Sequence, residues 1–364
     1  MKFFFLLLVV SCAQFKLDKP QRIEAPLRQV WSKNLDPYYI SGNLPINLGA
    51  PLVHEDIVYM GSVDRLMRAY DAESGRLIWQ KKEKSEINSK PVFFNDLVAY
   101  GDMSGRLYVR HYLTGELKYS VDLPSSIESA PVYDRGRLLV YLRGHQIVQL
   151  DALTGKILWI YKRAVAITTT LQRTTRPLID KDKIILGFAD GFVGALSREE
   201  GVLLWETKVA QTGKFIDADL NPVRLGEMIL CGSPASNFKA LNPINGQLVK
   251  DFDWVVTAHP VVINSQLIVG TADGDVILSQ SNGEVLKKVK VSKSSVSAIT
   301  YWGGSIVAAS FDGELSVIDP ISFKVKQKIN LGYDYSAIYS DFSQNENYLS
   351  YSTSRFHLYV FKKD

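Results

Sequence analysis

The chain is predicted to be all-β, an eight-bladed β-propeller of four-stranded antiparallel blades, closed by an N-terminal strand in the last blade. Three observations predict it: a segment of about 40 residues that recurs along the chain, two turn signals at fixed offsets in most of the copies, and a lone strand pattern near the start. The clearest copies are AYDAESGRLIW from Ala69 to Trp79 and QLDALTGKILW from Gln149 to Trp159. Sheets repeated at this period stack radially, because each covers its neighbour's apolar face.

The units open at Pro51, Pro91, Pro131, Pro177, Pro222 and Pro260, and without proline at Thr300 and Tyr339. The spacings are 40, 40, 46, 45, 38, 40 and 39, so eight units fit. A first turn falls at Asp64-Arg65, Ser104-Gly105, Asp190-Gly191, Asp273-Gly274 and Asp312-Gly313, and these pairs predict two-residue hairpins of type I′. A second falls at Ser74-Gly75, Thr114-Gly115, Thr154-Gly155, Glu200-Gly201, Asn245-Gly246 and Asn282-Gly283. Turns at these offsets divide each unit into four short strands. The last unit has only three strand-like runs, around Ile338, Tyr348 and His357 to Phe361. Arg28 to Lys33 supplies the missing fourth, with Trp31 where Trp79, Tyr119, Trp159 and Trp205 stand in their units. Joining the two ends in one blade leaves only short, protected edges.

Before that strand, Met1-Lys2 and the apolar run Phe3 to Val10 have the form of an export leader, too short to span a bilayer as a helix. The leader occupies 1–11, a tether of no periodicity 12–27 and the propeller 28–364. Val9-Val10-Ser11-Cys12 resembles the lipobox of bacterial lipoproteins, which implies acylation of Cys12. Ala13 after it implies sorting to the outer membrane by the enterobacterial pattern. The other cysteine, Cys231, lies in a strand-like run and is expected to be a buried small hydrophobe, so no disulfide staples the fold.

Hydrophobic residues make up 46% of the chain, with 25 Gly and 14 Pro, as many short strands and tight turns require. A net charge of +4 with both signs mixed argues against a nucleic-acid footprint. Lys287 to Lys293 alternates cations with apolar residues and is expected on the solvated face of an outer strand. No nucleophile elbow, zinc-protease helix, phosphate loop or Cys-x-x-Cys occurs, and the five histidines are scattered singly. No catalytic, cofactor or metal site is expected. Asp64, Asp190, Asp273 and Asp312 are turn residues first, not calcium ligands.

The pattern Ala-x-Asp-x-x-Thr/Ser-Gly-x-x-x-Trp resembles the repeat of pyrroloquinoline-quinone dehydrogenases, in which the tryptophan docks across neighbouring blades. Those enzymes are longer and use paired adjacent cysteines, which this chain lacks. The eight units, lipobox and length also resemble the BamB family, lipoprotein subunits of the outer-membrane β-barrel assembly machinery. That family tends to carry Leu-x-Leu-Arg-Gly-x-Ser-x-Pro and Asp-x-Asp-x-x-Pro in two connections that contribute to docking the barrel subunit BamA. Here the second is complete, Asp217-Ala218-Asp219-Leu220-Asn221-Pro222. The first, Thr169 to Pro177, keeps Leu171 and Pro177, displaces the arginine to Arg173 and lacks the first leucine and the glycine.

The resemblance implies a non-catalytic scaffold on the periplasmic face of the outer membrane. Its partners would be the periplasmic domain of BamA and other subunits of the machinery, with unfolded outer-membrane proteins as further candidates. Leu171, Arg173, Asp217 and Asp219 would form the partner surface, adjacent on one rim and exposed. Two alternatives remain: an exported quinone-dependent dehydrogenase, and an envelope lipoprotein with another partner.

Overall fold

A computed structural model describes residues 27–38, 47–164, 175–210, 216–332 and 336–363. The leader, Cys12, the tether up to residue 26, Leu171 and Arg173 lie outside the described residues. The described residues form eight four-stranded antiparallel sheets, the blades of the predicted propeller. Blade 1 runs Leu52–His54, Ile57–Gly61, Leu66–Asp71 and Leu77–Lys82, and the order from axis to rim follows the chain.

A gradient of burial across each blade explains the sequence pattern. The second strand of blade 1, Ile57–Gly61, is buried at every position. Successive side chains point to opposite faces of a strand, so Ile57 and Tyr59 enter the interface with blade 2 while Val58 and Met60 enter that with blade 8. The outer strand Leu77–Lys82 buries Trp79 and exposes Leu77, Ile78 and Gln80. The apolar core is therefore divided among the interfaces between blades, from Phe94 with Leu138 between blades 2 and 3 to Val307 with Tyr351 between blades 7 and 8.

The ring closes as the sequence implied. Arg28–Asn34 pairs antiparallel with His357–Lys362, with a bulge between Gln29 and Trp31, and is the outer strand of blade 8. Leu27 just before it is buried, and its N–H donates to Gln327 Oε1 at 3.2 Å.

Each second turn is latched to the preceding blade. Gly75 lies under Trp31, Gly115 under Trp79, Gly155 under Tyr119, Gly201 under Trp159 and Gly246 under Trp205. At Gly115, φ is +66° and an added Cβ would stand 2.8 Å from the Trp79 ring, so two independent constraints demand glycine. Trp79 Nε1–H donates to Tyr112 O at 2.8 Å, Trp31 to Ala72 O at 2.8 Å and Trp205 to Pro243 O at 3.1 Å. Trp159 differs. Gln149 Nε2 donates to the Arg198 carbonyl at 3.1 Å, the position equivalent to those acceptors, and Trp159 Nε1 is buried with no partner among the described residues.

Two expectations are corrected. The first turns are not type I′, because among the described residues positive φ falls at Arg65, Gly105, Gly191, Gly274 and Gly313 but not at the residues before them. The N–H of Gly105 closes on Asp102 O at 3.1 Å, while the Asp102 carboxylate accepts from Ser104 N at 2.9 Å and Arg106 N at 3.0 Å. That is a type I turn ending in one left-handed residue, built by an aspartate side chain that mimics backbone. Type I′ pairs occur instead between first and second strands, at Arg135-Gly136, Asn264-Ser265 and Gly303-Gly304.

The second correction concerns blade 8, whose innermost strand is Ser343–Gln344 and not the run around Ile338. Ile338 is fully buried as a packing residue before the strand. The short strand is held by blade 1, where Val53 N–H donates to Ser343 Oγ at 2.8 Å.

Lys287, Lys288 and Lys290 lie on the outer strand Val285–Lys290, as expected, and Lys288 pairs with Asp275 at 2.8 Å. The turn aspartates Asp64, Asp190 and Asp312 bond to Arg68, Arg163 and Ser292 respectively.

Candidate docking site

In each blade the first strand begins, and the second and third are joined, at the same end of the propeller, so the connections between blades share that face. The connection that carries the Asp-x-Asp motif is described from Ile216 onward. Ala218 N–H donates to Phe188 O at 3.0 Å, and a Cβ on Gly187 would meet the Ala218 carbonyl oxygen at 1.7 Å. The motif is therefore pressed against blade 4, and only glycine at 187 permits the approach.

This contact parts the two carboxylates. Asp217 is only 2% exposed, contrary to its expected place on an open rim. It lies in the field of a polar cluster where blades 3 and 4 meet, together with Asp190 and Arg163. Arg163 gives Nε and Nη2 to Asp190 Oδ2 at 2.9 and 2.7 Å, and its guanidinium stacks 4.6 Å from the Phe188 ring centroid. The Tyr141 hydroxyl donates to Gly187 O at 3.0 Å, so it accepts from Nδ1–H of His145 at 2.8 Å. That tautomer leaves His145 Nε2 a buried acceptor. Burial holds the His145 imidazole below its ordinary pKa, partly offset by Asp190 and Asp217. A proton on the buried Nε2 would find no acceptor among the described residues, which agrees with a neutral ring.

Asp219 goes the other way, to the mouth of a funnel on the propeller axis, which it lines with Glu128, Arg176, Asn221 and His259. Asn221 fixes the mouth: its Oδ1 accepts the Arg176 N–H at 2.7 Å and its own N–H donates to His259 Nδ1 at 3.1 Å. Three successive connections are thus tied together, and of the two motif aspartates only Asp219 faces an open space. Reasoning from the motif alone missed this division, and it missed Asn221 and His259. The signal for both was available, since each directly precedes the proline that opens its unit.

Among the described residues no group of three or more His, Cys, Asp or Glu side chains converges to hold a metal. Cys231 is buried, and burial pushes its thiol up to about 12, so it is not a thiolate nucleophile.

An eight-bladed propeller latched by Gly–Trp contacts, with its irregular connections gathered at one end, defines the class of protein. The family profile described as outer membrane protein assembly factor BamB matches residues 28–90 and 63–232. These spans together exceed half of the 364 residues, and the chain belongs to that family. It is similar to the outer membrane protein assembly factor BamB of Yersinia pestis, 22% identical over 340 residues covering 85% of this chain and 84% of that one. The solved structure of BamB from Moraxella catarrhalis superposes with a TM-score of 0.76 at 19% identity, covering 92% of this chain and 99% of that one. A quinone alcohol dehydrogenase subunit of Komagataeibacter europaeus is 24% identical over 168 residues, covering 37% of this chain but 23% of the enzyme.

Proposed function

We propose that the chain is a non-catalytic scaffold of outer-membrane protein assembly, anchored through acylated Cys12 on the periplasmic face and docking the periplasmic domain of BamA. Leu171, Arg173 and Asp219 are the contact residues, and Asp217 sets the connection that presents Asp219. The observation that carries this reading is the complete Asp217 to Pro222 motif, in a chain that belongs to this family, held rigidly against blade 4 at the end where the blade connections gather. A rigid loop offering a carboxylate to a cation on a partner loses little entropy on binding.

The test is a crosslinked pull-down of the tagged full chain from its host membranes, followed by affinity measurement with the BamA periplasmic domain. Asp219→Ala and Arg173→Ala are expected to weaken binding by about 1–3 kcal/mol with the melting transition unchanged. Asp217→Ala is expected to lower the melting transition as well, because the carboxylate is buried. Failure to recover BamA, with another envelope protein enriched, would discard the assembly role and leave an envelope lipoprotein with another partner.

The dehydrogenase match favours a second reading, in which the funnel holds a quinone. No adjacent cysteine pair exists in this sequence to support it. Tight binding of pyrroloquinoline quinone with calcium, seen as a bound chromophore, would revive it.

A further inference from the structure

A ring of equivalent positions surrounds the axis, one residue before the opening position of each innermost strand. Strand register places alanine there in blades 1, 3 and 7, and Lys90, Arg176, Asn221, His259 and Asp341 in the other five. Alanine suffices to build the ring, so the charged positions are additions that the fold does not need. Lys90 and Arg176 line both the mouth, a space of about 180 Å³, and the channel below it. They stand where one passes into the other.

The ion pairs at this collar leave its two cations out. Glu128 pairs with Arg143 at 3.2 Å, and Asp341 lies 3.7 Å from His259 Nε2. Among the described residues, neither Lys90 nor Arg176 has a carboxylate at ion-pair distance. Lys90 reaches across from blade 2 and gives one hydrogen bond, to Phe342 O at 2.9 Å, which leaves two ammonium donors over. Burial lowers the Lys90 pKa to about 8, with Asp341 opposing and the nearby Arg176 charge adding to the shift. Two further polar atoms of the lining, Asn88 Oδ1 from the connection to blade 2 and Ser297 Oγ from blade 7, are buried with no partner among the described residues.

We infer that this collar is a carboxylate-binding site, in which a single carboxylate lies between Lys90 and Arg176. Arginine presents parallel N–H donors that match a carboxylate, and the lysine adds a point charge from the far side. A carboxylate is favoured over phosphate, because Glu128, Asp219 and Asp341 already bring negative charge to the lining and a ligand of higher charge meets more of that repulsion. The carboxylate has two possible sources, a small free acid or the C-terminus of an extended peptide.

The experiment is calorimetric titration of the full chain with acetate, with N-acetyl-tetra-alanine ending in a free carboxylate, with its C-terminal amide and with inorganic phosphate. Nitrogen NMR of the lysine ammonium groups runs alongside. The peptide acid is expected to bind at least about tenfold more tightly than its amide and than phosphate, and to move the Lys90 titration upward. Lys90→Met and Arg176→Gln are each expected to cost about tenfold or more in affinity, while Lys162→Met on the outer rim costs nothing. Acetate binding as well as the peptide acid would make a small acid the ligand. Peptide acid binding alone would make it a chain terminus.

Equal binding of acid and amide, or of phosphate and acid, would overturn the inference, as would a Lys90 signal that no carboxylate shifts. Because the direct comparison uses the unaltered chain, it does not depend on whether either variant folds.

Discussion

The latch between Trp79 and Gly115 can be tested as a coupled pair. Trp79 is 7% exposed, packs on the turn of blade 2 and donates to Tyr112 O at 2.8 Å. Its truncation to alanine removes a buried aromatic and costs about 3–5 kcal/mol. Gly115→Ala incurs two separate costs. A Cβ at φ +66° is strained by about 1–2 kcal/mol, and its overlap with the indole, at 2.8 Å, adds the ~1–3 kcal/mol typical of overpacking. In the Trp79→Ala background the indole is gone and only the strain remains. Urea unfolding of all four proteins, followed by circular dichroism so that loss of one tryptophan does not distort the signal, should therefore give a coupling of about 1–3 kcal/mol. Additivity within about 0.5 kcal/mol would refute the latch, since two residues that do not press on each other would behave in that way.

Four further outcomes follow from the same geometry. Trp159→Phe should cost less stability than Trp79→Phe in urea melts, because the Trp159 indole N–H has no partner among the described residues; equal losses would mean that the bond is not what holds Trp79. His54, His145 and His357 are all held below the ordinary 6.5 by burial. Their contribution is therefore complete above about pH 6.5 and is lost as pH falls through the depressed folded values. The urea midpoint should fall between about pH 7.5 and 5.5, and a midpoint that rises on acidification would contradict that sign. Deleting residues up to Asn34 bares the edge of His357–Lys362, so gel filtration should show association that added peptide Arg28–Asn34 reverses; a stable monomer without the strand would show that closure is dispensable. Gly187→Ala should both destabilise the chain and weaken BamA binding, since it pushes the Ala218 carbonyl off blade 4; unchanged binding would detach the docking loop from that contact.

The propeller was legible because its main constraint is local and repeated. A glycine that must take positive φ beneath an aromatic ring leaves the same mark in one unit after another, and Trp31 was recognisable far from its blade because it carries the same role as Trp79. The first turns were misread since Asp-Gly serves type I′ and type I geometries alike. What decided between them was side-chain bonding, such as that of Asp102, whose acceptor role no pair rule encodes. The start of blade 8 was misplaced because Ile338 is as apolar as a strand residue while packing from a connection.

The candidate site was legible as a motif but not as a geometry. Two aspartates separated by one residue suggest a shared exposed face. The contact of Ala218 with Gly187, a tertiary event between different blades, sends one inward and the other to the axis.

The latches gather at one end of this propeller and the candidate recognition residues at the other, and one end is accordingly regular where the other varies. At the end of the second turns, the latches involving Trp31, Trp79, Tyr119, Trp159 and Trp205 repeat one contact, so any substitution meets the neighbouring blade. At the other end, the residue before each innermost strand varies from alanine to arginine, and in all but blade 7 it lines the funnel. Substitutions at Gly155 or Gly246 should therefore act on the melting transition, and those at Lys90, Arg176 or Asp219 on binding. Asp217 is the informative exception. It sits at the recognition end but is buried, so its loss should move both readouts together. If Asp217→Ala altered binding alone, the carboxylate would have to be reaching a partner directly, and the division of labour between Asp217 and Asp219 argued from burial would be wrong.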